Sequence, residues 1–95
     1  MNILITAATS AEAYKLKNQL TDDNVILGDY AGLPAFMKIV KLPNPASASY
    51  AHEMLTLCLD KGIERVYALQ EAEHTLLKEA EQLFGEYGIE LVHRP

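Results

Sequence analysis

The chain has little of what marks several large protein classes. It holds one cysteine, Cys58, so it cannot be an internal disulfide scaffold. A lone thiol in an apolar helical pattern reads as a small buried hydrophobe in a reducing compartment, which makes the cytoplasm the expected location. Only 8 Lys and Arg stand against 13 Asp and Glu, a net charge of −5. Such a chain is a poor non-specific binder of nucleic acid or of an anionic membrane. Long apolar runs are missing too. Ile3-Leu4-Ile5 stops at Thr6 and has no basic segment before it, so it is too short for a signal peptide or a bilayer span. There are no internal repeats and no low-complexity tracts. At 95 residues there is room for one core and not for two.

What is present suits a single globular domain over residues 1–95: 49% of the residues are hydrophobic and 22% charged, which argues against a disordered chain. The charge is uneven. Residues 1–48 balance Lys15, Lys17, Lys38 and Lys41 against Glu12, Asp22, Asp23 and Asp29. The acid excess lies in residues 49–95, where it reads as the solvated outer faces of helices.

The chain alternates short apolar runs with helical patterns. Asn2 to Thr6 reads as a buried strand. A helix is expected from Ser10 to Leu20, opened by a capping box between Thr9 and Glu12, with Ala13, Leu16 and Leu20 on one face. Val25 to Asp29 reads as a second strand. Tyr30 to Ala35, with Gly32 and Pro34, reads as a loop, and Met37 to Leu42 as a weaker third strand. Parallel crossovers normally need a dozen or more residues, and this connection has about seven. The third strand is therefore expected to be antiparallel, or an edge strand reached through a single helical turn.

Asn44 is a plausible N-cap and Pro45 suits a first helical position, so a second helix is expected from Ala46 to Lys61. Tyr50, Met54, Leu57 and Cys58 line its apolar side, and Gly62 ends it. Arg65 to Leu69 reads as a fourth strand. A third helix is expected from Glu71 to Tyr87, with Ala72, Leu76, Ala80, Leu83, Phe84 and Tyr87 inward and Gly88 as terminator. Ile89 to His93 reads as the last strand. Strands alternating with helices imply an α/β fold with a mostly parallel five-stranded sheet. Right-handed crossovers put the first helix on one face and the others on the opposite face. The expected architecture is a Rossmann-like three-layer sandwich with strand order 3-2-1-4-5, whose ligand crevice lies at the switch point beside the first strand.

Chemistry is then sought at the carboxyl ends of the strands. Thr6-Ala7-Ala8-Thr9-Ser10 precedes a helix N-terminus, a place that attracts anions. Asp29 follows at about the distance of a ribose-binding acid, yet the glycines of the dinucleotide fingerprint are absent. Ala7, Ala8 and Ala11 would put methyl groups where backbone must approach a pyrophosphate. The acidic pair of a phosphorylated receiver is also missing after the first strand. Glu71 and Glu73 open the third helix, where acids suit the helix dipole. Ser47, Ser49 and His52 offer a serine and a histidine without an orienting acid or an oxyanion hole. His52, His74, His93 and Cys58 lack metal-ligand spacing. The residues alone thus leave open a small-ligand-binding or regulatory module, and an interaction protein that dimerises through an edge strand or a helix face.

The order of elements and several local strings together resemble one family. Asn2-Ile3-Leu4-Ile5-Thr6 opens a strand at the start of the chain and leads into a small-residue loop. The second strand ends at Asp29. Lys38-Ile39-Val40-Lys41-Leu42-Pro43 is an edge strand ending in proline, followed by a helix bearing Tyr50 and Leu55. Lys61-Gly62-Ile63-Glu64-Arg65-Val66-Tyr67, Glu71-Ala72-Glu73-His74-Thr75-Leu76-Leu77 and Leu83-Phe84-Gly85-Glu86-Tyr87-Gly88-Ile89-Glu90-Leu91 follow in order. The chain resembles the N-terminal (pre-ATP-grasp) domain of ATP-grasp ligases, especially the carbamoyl-phosphate-synthase-like members. It departs from them in having no glycine in the first loop and Ala68 where they carry proline.

The resemblance implies a non-catalytic domain that walls the small-molecule substrate site of a longer carboxylate ligase. The implied ligand contacts are Ala7, Ala8, Thr9, Ser10, Asp29, Glu71 and Glu73, with no catalytic or metal-binding residue on this chain. ATP and Mg²⁺ would belong to a downstream ATP-grasp domain of the same protein. The alternative is a stand-alone Rossmann-like module for a small ligand. A homodimer is compatible with either, and neither expects a nucleic acid or a membrane as partner.

Overall fold

The computed structural model describes residues 2–8, 10–20, 24–30 and 39–93. Four strands and four helices alternate with a two-residue edge strand. The order is β1 (Asn2–Ile5), α1 (Ala11–Gln19), β2 (Asn24–Asp29), β3 (Val40–Lys41), α2 (Tyr50–Lys61), β4 (Arg65–Ala68), α3 (Glu71–Glu79), α4 (Glu81–Glu86) and β5 (Glu90–His93). The strands form one sheet in the order β3-β2-β1-β4-β5, and every pair in it is parallel. This is the expected α/β Rossmann-like sheet.

β1 lies at its centre. Ile3, Leu4 and Ile5 are each fully buried, because helices cover both faces of the strand. Burying one such side chain contributes on the order of 1.5–3 kcal/mol. The alternation of a strand splits the run between two cores. Ile3 and Ile5 face α1, packing with Ala13, Leu16, Leu27 and Tyr67. Leu4 faces the other way, with Met54, Cys58, Val66, Leu77 and Phe84. So α1 covers one face, and α2, α3 and α4 the other, as right-handed crossovers require.

Glycines stop two of the helices where the sequence places them. Gly62 follows α2 with φ 65°, and Ile63 N–H bonds back to Cys58 O at 2.8 Å. Gly88 follows α4 with φ 75°, and Ile89 N–H bonds to Phe84 O at 3.0 Å. Both are Schellman closures, with a buried isoleucine as the hydrophobic follower.

Several expected boundaries move. α1 is capped by Ser10, whose Oγ accepts from Ala13 N–H at 3.2 Å. Thr9, expected as the cap, lies outside the described residues. α2 starts at Tyr50 and not at Ala46. Asn44 instead folds an Asx turn, its side-chain oxygen accepting from Ala46 N–H at 2.9 Å, and a further turn joins Tyr50 N–H to Ser47 O. This local bonding competes with the first helical turn. β3 is a parallel edge strand of two residues, pairing Gly28 with Val40 and Asp29 with Lys41. Met37 and Lys38, expected to begin it, lie outside the described residues.

The expected single helix over 71–87 is two helices that meet at Ala80 (φ −104°, ψ 13°). Neither glycine nor proline marks that break. The buried stripe there is Glu73, Leu77 and Phe84, while Ala72 and Tyr87 are exposed. Phe84 is buried, and Leu76, Ala80 and Leu83 pack against the core, as expected; at the start of α3, though, a carboxylate takes the buried place expected of Ala72.

Candidate functional site at the sheet switch point

The sheet changes direction between β1 and β4, since β2 and β3 extend it one way and β5 the other. Three chain segments leave neighbouring parallel strands there: Thr6–Ala8 from β1, Asp29 and Tyr30 from β2, and Leu69–Glu71 from β4. Backbone bonds extend the ladders into these exits. Thr6 N–H reaches Tyr67 O and Ala8 N–H reaches Gly28 O, each at 3.1 Å, and Leu42 N–H reaches Asp29 O at 2.8 Å.

Thr6 closes the gap at the switch point. Its side chain is fully buried, and its Oγ1 accepts from Leu69 N–H at 3.0 Å. A strand-end hydroxyl thus satisfies a backbone donor on the neighbouring exit, where the ladder has run out. Beneath it lies Glu73, at the third position of α3 and fully buried. Its Oε2 accepts from the Tyr50 hydroxyl of α2 at 3.1 Å. Its Oε1 is sealed from solvent and has no hydrogen-bond partner among the described residues.

Burial raises the Glu73 carboxyl above its ordinary value of 4.5. The Tyr50 hydroxyl works against that rise, the nearby Asp29 carboxylate adds to it, and the Thr6 hydroxyl opposes it. The Tyr50 hydroxyl is itself pushed up, first by burial and then by Glu73. Asp29 is only 6% exposed. Two carboxyl groups from different strand exits therefore share one poorly hydrated region.

The site residues expected from the sequence separate into three groups. Asp29 and Glu73 come together, buried, around Thr6. Ala7, Ala8 and Ser10 form the β1 exit above them. Glu71 opens α3 but faces solvent, and Thr9 lies outside the described residues. Glu73 corrects the expectation that the late acids mark outer helix faces. Tyr50 was not expected at the site, and Thr6 was expected only as the start of the first loop, not as a buried contact. A signal existed for each: Thr6 is a hydroxyl ending an aliphatic run, and a buried tyrosine hydroxyl normally requires a partner.

The first exit has an unusual backbone. Ala7 takes φ 51°, the only positive φ of a non-glycine residue among those described. Two of the amides nearby are committed: Ala8 N–H to Gly28 O, and Ser10 N–H to Ala7 O at 2.9 Å. The Ala8 methyl is fully buried in the α1-side core. The loop therefore has fewer donors for a phosphate than a glycine-rich cradle has. Among the described residues, no three His, Cys, Asp or Glu side chains are grouped to hold a metal ion. No helix among them is long and apolar enough to cross a membrane.

The sheet and its flanking helices define a Rossmann-like α/β domain, whose candidate site lies at the carboxyl ends of β1, β2 and β4. Among solved structures, the chain is similar to glycinamide-RNase-transformylase T from Mycobacterium tuberculosis, with a TM-score of 0.60 and 15% identity. The likeness covers 96% of this chain and 28% of that one, so the chain spans little more than a quarter of the transformylase's length. It bears out, at the level of the fold, the resemblance found in the sequence. No family model and no curated protein matches the chain.

Proposed function

We propose that this domain is the substrate-side wall of an ATP-grasp-type carboxylate ligase and carries no catalytic group of its own. The observation behind this reading is the convergence of the β1, β2 and β4 exits at the topological switch point of the sheet, with Asp29, Thr6 and Glu73 buried there. The sequence resemblance to pre-ATP-grasp domains supports it, as does the likeness in fold to part of a transformylase. In this reading Ala7, Ala8, Thr9, Ser10, Asp29, Glu71 and Glu73 border a small-molecule substrate. ATP and Mg²⁺ are held by a downstream domain of the same cytoplasmic protein. Carboxylate activation needs a cationic phosphate clamp and metal-binding carboxylates, and these are assigned to that domain.

The coding sequence beyond codon 95 tests the reading. It predicts an open frame that encodes a lysine- and acid-bearing ATP-binding domain. A stop codon there would overturn it in favour of a stand-alone module.

A further inference from the structure

We propose that Glu73 is a proton-operated latch: with its carboxyl protonated it holds the first turn of α3 against α2 and the β1 exit, and on ionising it releases that turn. The proposal goes beyond the assignment of the domain. It rests on the packing of one buried cluster. Glu73 is fully buried, as is Thr6, and Tyr50 is 2% exposed. One carboxyl oxygen is bonded to Tyr50 at 3.1 Å, while the other is closed off from water without a partner among the described residues.

A protonated Oε1 carries no formal charge into that enclosure. An ionised one carries a charge that the Tyr50 and Thr6 hydroxyls favour but that burial and the nearby Asp29 oppose. The charge is relieved if the turn opens and Oε1 reaches water. Among the described residues, the side chains that act on the Glu73 carboxyl are two hydroxyls and one acid. α2 contributes the Tyr50 hydroxyl, with the Cys58 thiol behind it. The β2 exit contributes Asp29, the β1 exit Thr6, and the β4 exit the uncharged Leu69 and Gln70. On α3 itself, Glu71 is exposed and His74 half-buried. The turn at stake borders the crevice, so its release would change the crevice wall.

The direction follows from linkage. A carboxyl whose native pKa is raised binds its proton more tightly in the closed form. The closed turn is then fully favoured below the ordinary carboxylate value of 4.5 and loses that advantage as pH rises through the native value.

Amide hydrogen exchange tests the latch on the intact chain, with rates corrected for intrinsic pH dependence. The reporters are the amides of His74, which bonds Gln70 O at 2.9 Å, and of Thr75. In the native protein their protection should fall with rising pH, by up to about tenfold per unit for one linked proton, and then level off. Glu73→Gln, which mimics the protonated acid, should remove the slope. The α1 amides of Leu16 and Lys17 should not follow it. A pH-independent native protein, an unchanged slope in Glu73→Gln, or parallel loss in α1 would each overturn the latch. If Glu73→Gln does not fold, the Glu73 carboxyl carbon is titrated by NMR in the native chain. A midpoint shared with the His74 amide supports the latch, and a different midpoint overturns it.

Discussion

Leu42 packs onto the bare Cα of Gly28. A Cβ placed on Gly28 would lie 2.7 Å from Leu42 Cδ2 and 2.8 Å from its Cγ. The contact fastens the edge of the sheet. Gly28 pairs with Val40, and Leu42 N–H bonds Asp29 O. A two-residue strand is thereby held by a side chain that is only 2% exposed. Since Asp29 is the next residue, the same contact positions the acid of the β2 exit. Gly28→Ala should lower stability by about 1–3 kcal/mol through overpacking. Urea unfolding measures this, and an unchanged midpoint would contradict the packing.

Ala7 occupies a conformation that L-residues enter at a cost of roughly 1–2 kcal/mol. Glycine would relieve the strain but would lose about 0.4–1 kcal/mol through the freer unfolded chain. Ala7→Gly is therefore expected to stay within about 1 kcal/mol of the native protein. Ala7→Val adds a β-branched side chain at positive φ and should destabilise by about 2 kcal/mol or more. Equal thermal midpoints for the two variants would show that the loop backbone does not set the strain.

Thr6 is the bond across the switch point. Thr6→Val keeps the shape and leaves Leu69 N–H without its acceptor. The expected loss is about 1–3 kcal/mol, typical of an orphaned buried donor. The exchange rate of the Leu69 amide should rise more than those of β1. An unaltered Leu69 amide would mean that another acceptor serves it.

Cys58 is fully buried, and burial pushes its thiol up to about 12. Its thiolate is therefore scarce from pH 6 to 9, where thiol reagents act. A chromogenic disulfide reagent should label the folded protein at the rate of global unfolding, and the urea-unfolded chain at once. Fast labelling of the native state would contradict the packing of α2.

The sheet order was legible because each strand is a short apolar run bounded by turn residues, and because right-handed crossovers leave few arrangements. Gly62 and Gly88 marked the helix ends for the same local reason. The site was harder to read. Glu73 in a first helical turn is satisfied by the helix dipole alone, so nothing in its position announces burial. Ala72 and Leu76 offered an apolar stripe one residue out of phase with Glu73 and Leu77. The partner that accompanies the buried Glu73, the Tyr50 hydroxyl, lies 23 positions away in sequence. Thr9 and Ser10 compete as caps at adjacent positions, and Ser10 reaches Ala13.

In the proposed function, the strand exits above Thr6, Asp29 and Glu73 meet a small-molecule substrate. Chemical-shift mapping on the ¹⁵N-labelled chain tests this, with small carboxylates, amines, inorganic phosphate and nucleotides added to millimolar concentration. One class should produce saturable shifts centred on Ala7, Ala8, Ser10, Asp29, Glu71 and Glu73. Saturable shifts only at the opposite end of the sheet, around Asn2, Asn24 and Glu64, or no shift from any class, would contradict it.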